Sequence, residues 1–99
     1  MAFSLTHVER KDLSALRASA LWDVHGFLAV LHEHQQEVAA DWRAQDIYGR
    51  DDEELATWLL ERRVALATAK SVCDRCFSLH IELEAECSRR GIRNFPAFF

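Results

Sequence analysis

Two cysteines and a histidine in the second half of this chain have the residue types and the spacing of a small metal site. Cys73, Cys76 and His80 lie three and seven positions apart, so on a helix all three side chains project from one face. Thiolate and imidazole are ligands that zinc prefers. In a helical hairpin centred near Tyr48, His25 would lie opposite Cys73 and complete a Cys₂His₂ set. The alternative function that follows is a metal-binding or redox-sensing helical bundle.

The same cysteines also fit a purely structural role, and we favour this interpretation. Cysteine is among the most often buried residues and packs as a small apolar side chain. Cys73, Cys76 and Cys87 fall on the apolar stripe of a predicted helix, where a small core residue belongs. We therefore predict no cofactor and no metal, and keep the four-residue set as the alternative.

The remaining histidines do not reproduce a catalytic pattern. A metalloprotease helix needs histidines at i and i+4, and Gln36 stands four residues after His32. A di-iron bundle needs Glu-x-x-His pairs, and no histidine here has a glutamate three residues before it. A glycine-rich phosphate loop is also missing from the sequence. These observations favour a protein that is not an enzyme.

The element that carries the cysteines is a run without glycine or proline from Asp52 to Arg90. As a helix it is roughly 55–60 Å long at about 1.5 Å per residue. Asp51 is a good N-cap, acidic residues follow it in the first turn, and Gly91 is the expected C-cap glycine. A rod of this length needs a second long helix or a second chain against it.

The first half of the chain predicts the long helix that packs against this rod, over about 6–45. Thr6 and Glu9 form a capping box at its start. Asp12 is an alternative start. Gly26 interrupts the apolar period, and it either kinks the helix into two or lets a neighbouring helix pass close to its backbone; we favour close packing. The loop is predicted over 46–51, with Gly49 in the left-handed conformation.

The C-terminal long helix, predicted over about 52–90, carries a seven-residue apolar repeat along one side. A second stripe, formed by Trp58, Ala65, Val72 and Leu79, widens this face beyond what one partner helix covers. The sequence thus predicts an all-α fold, a long antiparallel helical hairpin that dimerises into a four-helix bundle. The predicted oligomer seam contains Leu55, Leu59, Arg62, Leu66, Cys73, Cys76 and Leu83. Arg62 could pair with Glu33, Glu37 or a partner chain, or send its stem to solvent.

The C-terminal tail, residues 91–99, is unusually aromatic. Pro96 prevents continuation of the helix. The tail either folds back over the end of the bundle or inserts Phe95, Phe98 and Phe99 into a partner. Aromatic residues are enriched among interface anchors. The predicted partner-binding residues are therefore Trp22, Trp58, Phe95, Phe98 and Phe99.

Composition limits the function classes. The chain has 99 residues, a net charge of −4 and 49% hydrophobic residues, which is typical of one folded domain. A mildly acidic chain lacks the basic surface that binds nucleic acid, and we expect neither a signal peptide nor a membrane span. We expect a small cytoplasmic adaptor, regulator or inhibitor that binds itself and another protein. Proteins of this kind are frequent among bacterial and phage accessory proteins.

Overall fold

The fold is an all-α helical hairpin with a short N-terminal segment folded back onto it. In the computed structural model, which describes residues 4–46 and 48–92, the helices are α1 (Leu5–Glu9), α2 (Ala18–Ala44) and α3 (Asp52–Arg89). A single 3₁₀ turn, Leu13–Ala15, stands between α1 and α2. The two long helices pack against each other. The chain measures 58 × 24 × 21 Å along its principal axes. This confirms the predicted all-α helical hairpin, and the dimer stays a prediction.

The α3 helix begins and ends where its local sequence indicates. The Asp51 carboxylate accepts a hydrogen bond from the Glu54 amide at 2.8 Å, and three acidic residues occupy the first turn. At the other end Gly91 adopts a φ of 74°. The amide of Ile92 then donates to the carbonyl of Cys87 at 2.9 Å. This pair of features is a Schellman cap, which satisfies carbonyls that the helix leaves open.

The N-terminal segment departs from the predicted helix over 6–45. Ser4, and not Thr6, caps α1, because the Ser4 hydroxyl accepts a hydrogen bond from the His7 amide. The chain then leaves the helical path, and Asp12 caps the 3₁₀ turn through the amide and hydroxyl of Ser14. This break allows Val8 to enter the core, where it is almost completely buried.

The structure around Gly26 also differs from the prediction. The α2 helix passes through it without a break. Apart from the adjoining backbone of α2 itself, no atom lies within 4 Å of where a Cβ on Gly26 would stand, and the residue is exposed. The expected close approach of a neighbouring helix is therefore wrong, and the first half of the chain is divided at 10–17 rather than near Gly26.

The core is concentrated in the proximal half of the hairpin, which we define as 18–31 of α2 and 72–89 of α3. There α1 and the 3₁₀ turn cover one side of the two long helices. The buried cluster consists of Val8, Leu21, Val24, Leu28, Cys76, Leu79, Leu83 and Cys87. The distal half, 32–44 of α2 and 52–71 of α3, buries only Ala39, Trp58 and Ala69. None of the helices in the described residues has the length and apolarity needed to cross a membrane.

A charged cluster closes the proximal end. The Glu86 carboxylate, largely buried, accepts hydrogen bonds from Arg89 and, at 2.7 Å, from Nε of Arg90. Arg90 Nη2 also donates to the carbonyls of Leu13 and Ser14, at 3.1 and 2.9 Å. Because Glu86 fixes the guanidinium of Arg90, this carboxylate helps to hold the 3₁₀ turn against α3.

Glu86 gives the fold a testable pH dependence. The hydrogen bonds from Arg89 and Arg90 lower the pKa of Glu86 from its ordinary 4.5 to about 2. A carboxyl group whose pKa is lowered in the folded state stabilises that state above its unfolded pKa, and this contribution is lost as the pH falls through the folded pKa. We therefore expect Glu86→Gln to lower the thermal midpoint at neutral pH, and the difference from wild type to shrink between about pH 4.5 and about pH 2.

The measurement is circular dichroism melting of both proteins at several pH values in that window and at pH 7. Glu9, whose pKa is lowered by its hydrogen bond with Arg75, titrates in the same direction in both proteins. Its effect cancels in the difference. A difference that stays constant down to pH 2 would contradict the assigned role of Glu86.

Candidate functional site

The histidines of the predicted metal set pack against each other in the proximal core. The rings of His25 and His80 have centroids 6.0 Å apart, and the Trp22 ring meets that of His25 at 6.3 Å in an edge-on arrangement. Nε2 of His80 lies 3.0 Å from Oε1 of Glu84, one turn along α3. Both imidazoles are buried.

The register of the hairpin explains why His25 meets His80 rather than Cys73. The sequence predicts a hairpin whose turn is centred near Tyr48. In the structure, the Trp58 indole Nε1–H instead donates to Oε1 of Gln45 at 2.7 Å, so Trp58 lies beside the end of α2. The first turn and a half of α3 therefore extends past α2. This shift moves the residue opposite His25 two turns along α3, from Cys73 to His80.

Of the cysteines in the predicted metal set, Cys76 is buried in the core cluster and Cys73 is half-buried. Within residues 4–46 and 48–92, no group of three or more His, Cys, Asp or Glu side chains is arranged to hold a metal ion. Burial raises the pKa of Cys76 to about 11, and burial likewise raises the pKa of Cys73 and of Cys87. Because the thiolate is both the nucleophile and the metal ligand, the geometry and the protonation state agree with a packing role for Cys76 and Cys87 in the core cluster.

Trp58 and Arg62 make contacts within the hairpin itself. Trp58 is only 8% exposed. The guanidinium carbons of Arg50 and Arg62 lie 4.8 and 5.9 Å from the centre of its indole, within the range of cation–π contact. The sequence predicted that Trp58 binds a partner, but its ring is packed inside the hairpin. Arg62 contacts this ring instead of Glu33 or Glu37. Of the predicted binding aromatics, Trp22 is exposed, and Phe95, Phe98 and Phe99 lie outside the described residues.

The predicted oligomer seam is divided along its length. Cys76 and Leu83 are fully buried inside the single chain, since α2 and α1 already cover them. Leu55, Arg62, Leu66 and Cys73 are half-buried, and Leu59 is 49% exposed. Cys76 and Leu83 thus belong to the contact between α3 and α2, and the other seam residues remain partly accessible to another molecule.

Some of these accessible residues belong to a stripe along α3, of which only Leu59, Leu66 and Cys73 were predicted to lie in the seam. We call it the open stripe: Leu59, Arg63, Leu66, Lys70, Cys73, Phe77, Ile81 and Glu84. Its members are three or four residues apart, so they share one side of the helix. Phe77 and Ile81 are about half exposed, at 49% and 51%. The i, i+4 spacing of these two large apolar residues beside the seam was the available signal.

A groove between the long helices runs beside the open stripe. It has a volume of about 620 Å³ and is lined from α2 by Gln35, Gln36, Ala39 and Arg43 and from α3 by Leu66, Ala67, Ala69, Lys70 and Cys73. Alanines on both helices leave this space because their side chains are too short to fill it. The groove lies where the proximal core has ended and the Trp58 contacts have not begun.

Comparison with known proteins gave no match. No protein-family model, curated protein or solved structure is significantly similar to this chain.

Proposed function

We propose that this chain is a small cytoplasmic, non-catalytic protein-binding module, an adaptor, regulator or inhibitor that acts through the open stripe of α3. The observation that carries this proposal is the unequal covering of the hairpin. On one side of the two long helices α1 and the 3₁₀ turn bury the apolar residues, and Arg75 of α3 is paired with Glu9 of α1. On the other side Phe77 and Ile81 remain about half exposed.

The composition of the stripe supports a binding surface rather than an incidental one. Exposed apolar residues that occur singly are ordinary, whereas contiguous ones mark interaction sites. In the open stripe Leu66, Cys73, Phe77 and Ile81 follow one another along one side of α3, and Arg63, Lys70 and Glu84 stand among and beyond them. An apolar centre with charged neighbours resembles the core and rim of a protein interface.

The proposal is tested by affinity capture from the native host with two matched variants. We expect Phe77→Glu to lose the captured proteins and Leu60→Glu to keep them. Leu60 is more exposed than Phe77, at 63%, and lies about 100° away around α3. Mass spectrometry of the captured proteins and circular dichroism of each variant are the measurements.

A third variant separates the stripe from the aromatic tail. A chain that lacks residues 95–99 keeps the open stripe, so it is expected to capture the same proteins. Loss of every captured protein in this variant, with Phe77→Glu behaving as wild type, would place binding in the tail and overturn the proposal.

A further inference from the structure

The open stripe is complementary to itself when two copies run antiparallel. In a two-fold dimer, if residue i of one chain faces residue j of the other, then j also faces i. With the axis between Cys73 and Asp74, Arg63 faces Glu84 of the second copy, and Leu66 faces Ile81. Opposite charges and apolar side chains are therefore paired by a single register.

The same register brings a bulky side chain to the groove. Phe77 faces Lys70 of the second copy, and Lys70 lines the groove together with Leu66 and Cys73. With Ala69, which also lines the groove, these residues stand at i, i+3, i+4 and i+7, the four positions of a hole that receives a knob from a facing helix. The groove of about 620 Å³ is large enough for a phenyl ring.

We propose that two copies of this chain associate antiparallel through their open stripes, with Phe77 of each copy in the groove of the other. The product is a four-helix assembly in which two α3 helices form the central contact and the α2 helices flank it. The proposal rests on the proposed role of the open stripe as a binding surface, and it names a second copy as the occupant.

Light scattering coupled to size-exclusion chromatography tests the association. We expect a dimer for wild type and Leu60→Glu at about 100 µM, well above the Kd of a stable interface. We expect a monomer for Phe77→Glu and a weakened dimer for Phe77→Ser. Because Phe77 is half exposed in the single chain, both variants should keep their helix content by circular dichroism.

Charge reversal tests the register. We expect Arg63→Glu and Glu84→Arg each to weaken the dimer several-fold, because each places like charges opposite one another, and we expect the double variant to recover most of the loss. A double variant weaker than either single one would overturn the register.

A wild-type monomer at about 100 µM would overturn the dimer as a whole. In that case, Phe77-dependent capture of another protein would still uphold the proposed function. Loss of both the dimer and the capture would remove both proposals, so the two failures are distinguishable.

Discussion

Replacing Leu83 with alanine is expected to lower the free energy of unfolding by about 2–5 kcal/mol, the range for removing a fully buried leucine side chain. Leu83 is 0% exposed and belongs to the proximal cluster, where it packs among residues from α2 and α3. A domain of this size has a total stability of about 5–15 kcal/mol. The variant should therefore lose a large part of its stability or fail to fold at all.

Urea unfolding followed by circular dichroism, at one fixed protein concentration, measures this loss. Leu60→Ala is the matched control, because Leu60 is exposed and its truncation should change stability by no more than about 0.5 kcal/mol. Equal unfolding midpoints for the two variants would show that the proximal cluster is not the main stabilising core.

Trp58→Ala is expected to destabilise the distal half by about 3–5 kcal/mol, as for other large aromatic side chains removed from a core. Trp58 is the largest of the three buried residues in that half. Its removal also leaves Arg50 and Arg62 without the ring they contact, and Gln45 without its 2.7 Å hydrogen bond. The two long helices would then separate near their connection.

Trp58→Phe divides this effect into its parts. The phenyl ring keeps most of the packing but cannot donate to Gln45, so a loss of about 1 kcal/mol is expected, the net value of one hydrogen bond. Trp22→Ala is the control, because Trp22 lies in the proximal half of the hairpin, far along α2 from the amides that are measured. Hydrogen exchange of the amides in 40–65 is the measurement. Unchanged protection in Trp58→Ala would contradict the assigned role of Trp58.

The parts of this fold that the sequence predicted are those decided by neighbouring residues. Asp51 caps α3 through an amide three residues away, and the turn at Gly91 closes it through hydrogen bonds that join residues three and five positions apart. The long apolar rhythm of α3 likewise reflects a helix that is continuous over its whole length. These signals need no knowledge of which other element lies nearby.

The parts that were missed depend on contacts between distant residues. The break at 10–17 follows from Val8 packing into a core formed by α2 and α3, and Ser4 takes the cap that Thr6 was expected to supply. The opposition of His25 and His80 depends on the length of α3 that passes beyond α2. A stripe becomes a candidate binding surface only when it is known which side α1 covers. Periodicity alone does not distinguish the side of α3 that α1 covers from the side that stays uncovered.

The position of α1 has a consequence for how the chain reaches this structure. Contacts between α2 and α3 near their connection join residues as little as 13 positions apart, whereas Arg75 meets Glu9 across 66 positions and Arg90 meets Leu13 across 77. Closing a long segment costs more chain entropy than closing a short one. We therefore expect α2 and α3 to pair first and the N-terminal segment to dock last, onto a hairpin already formed.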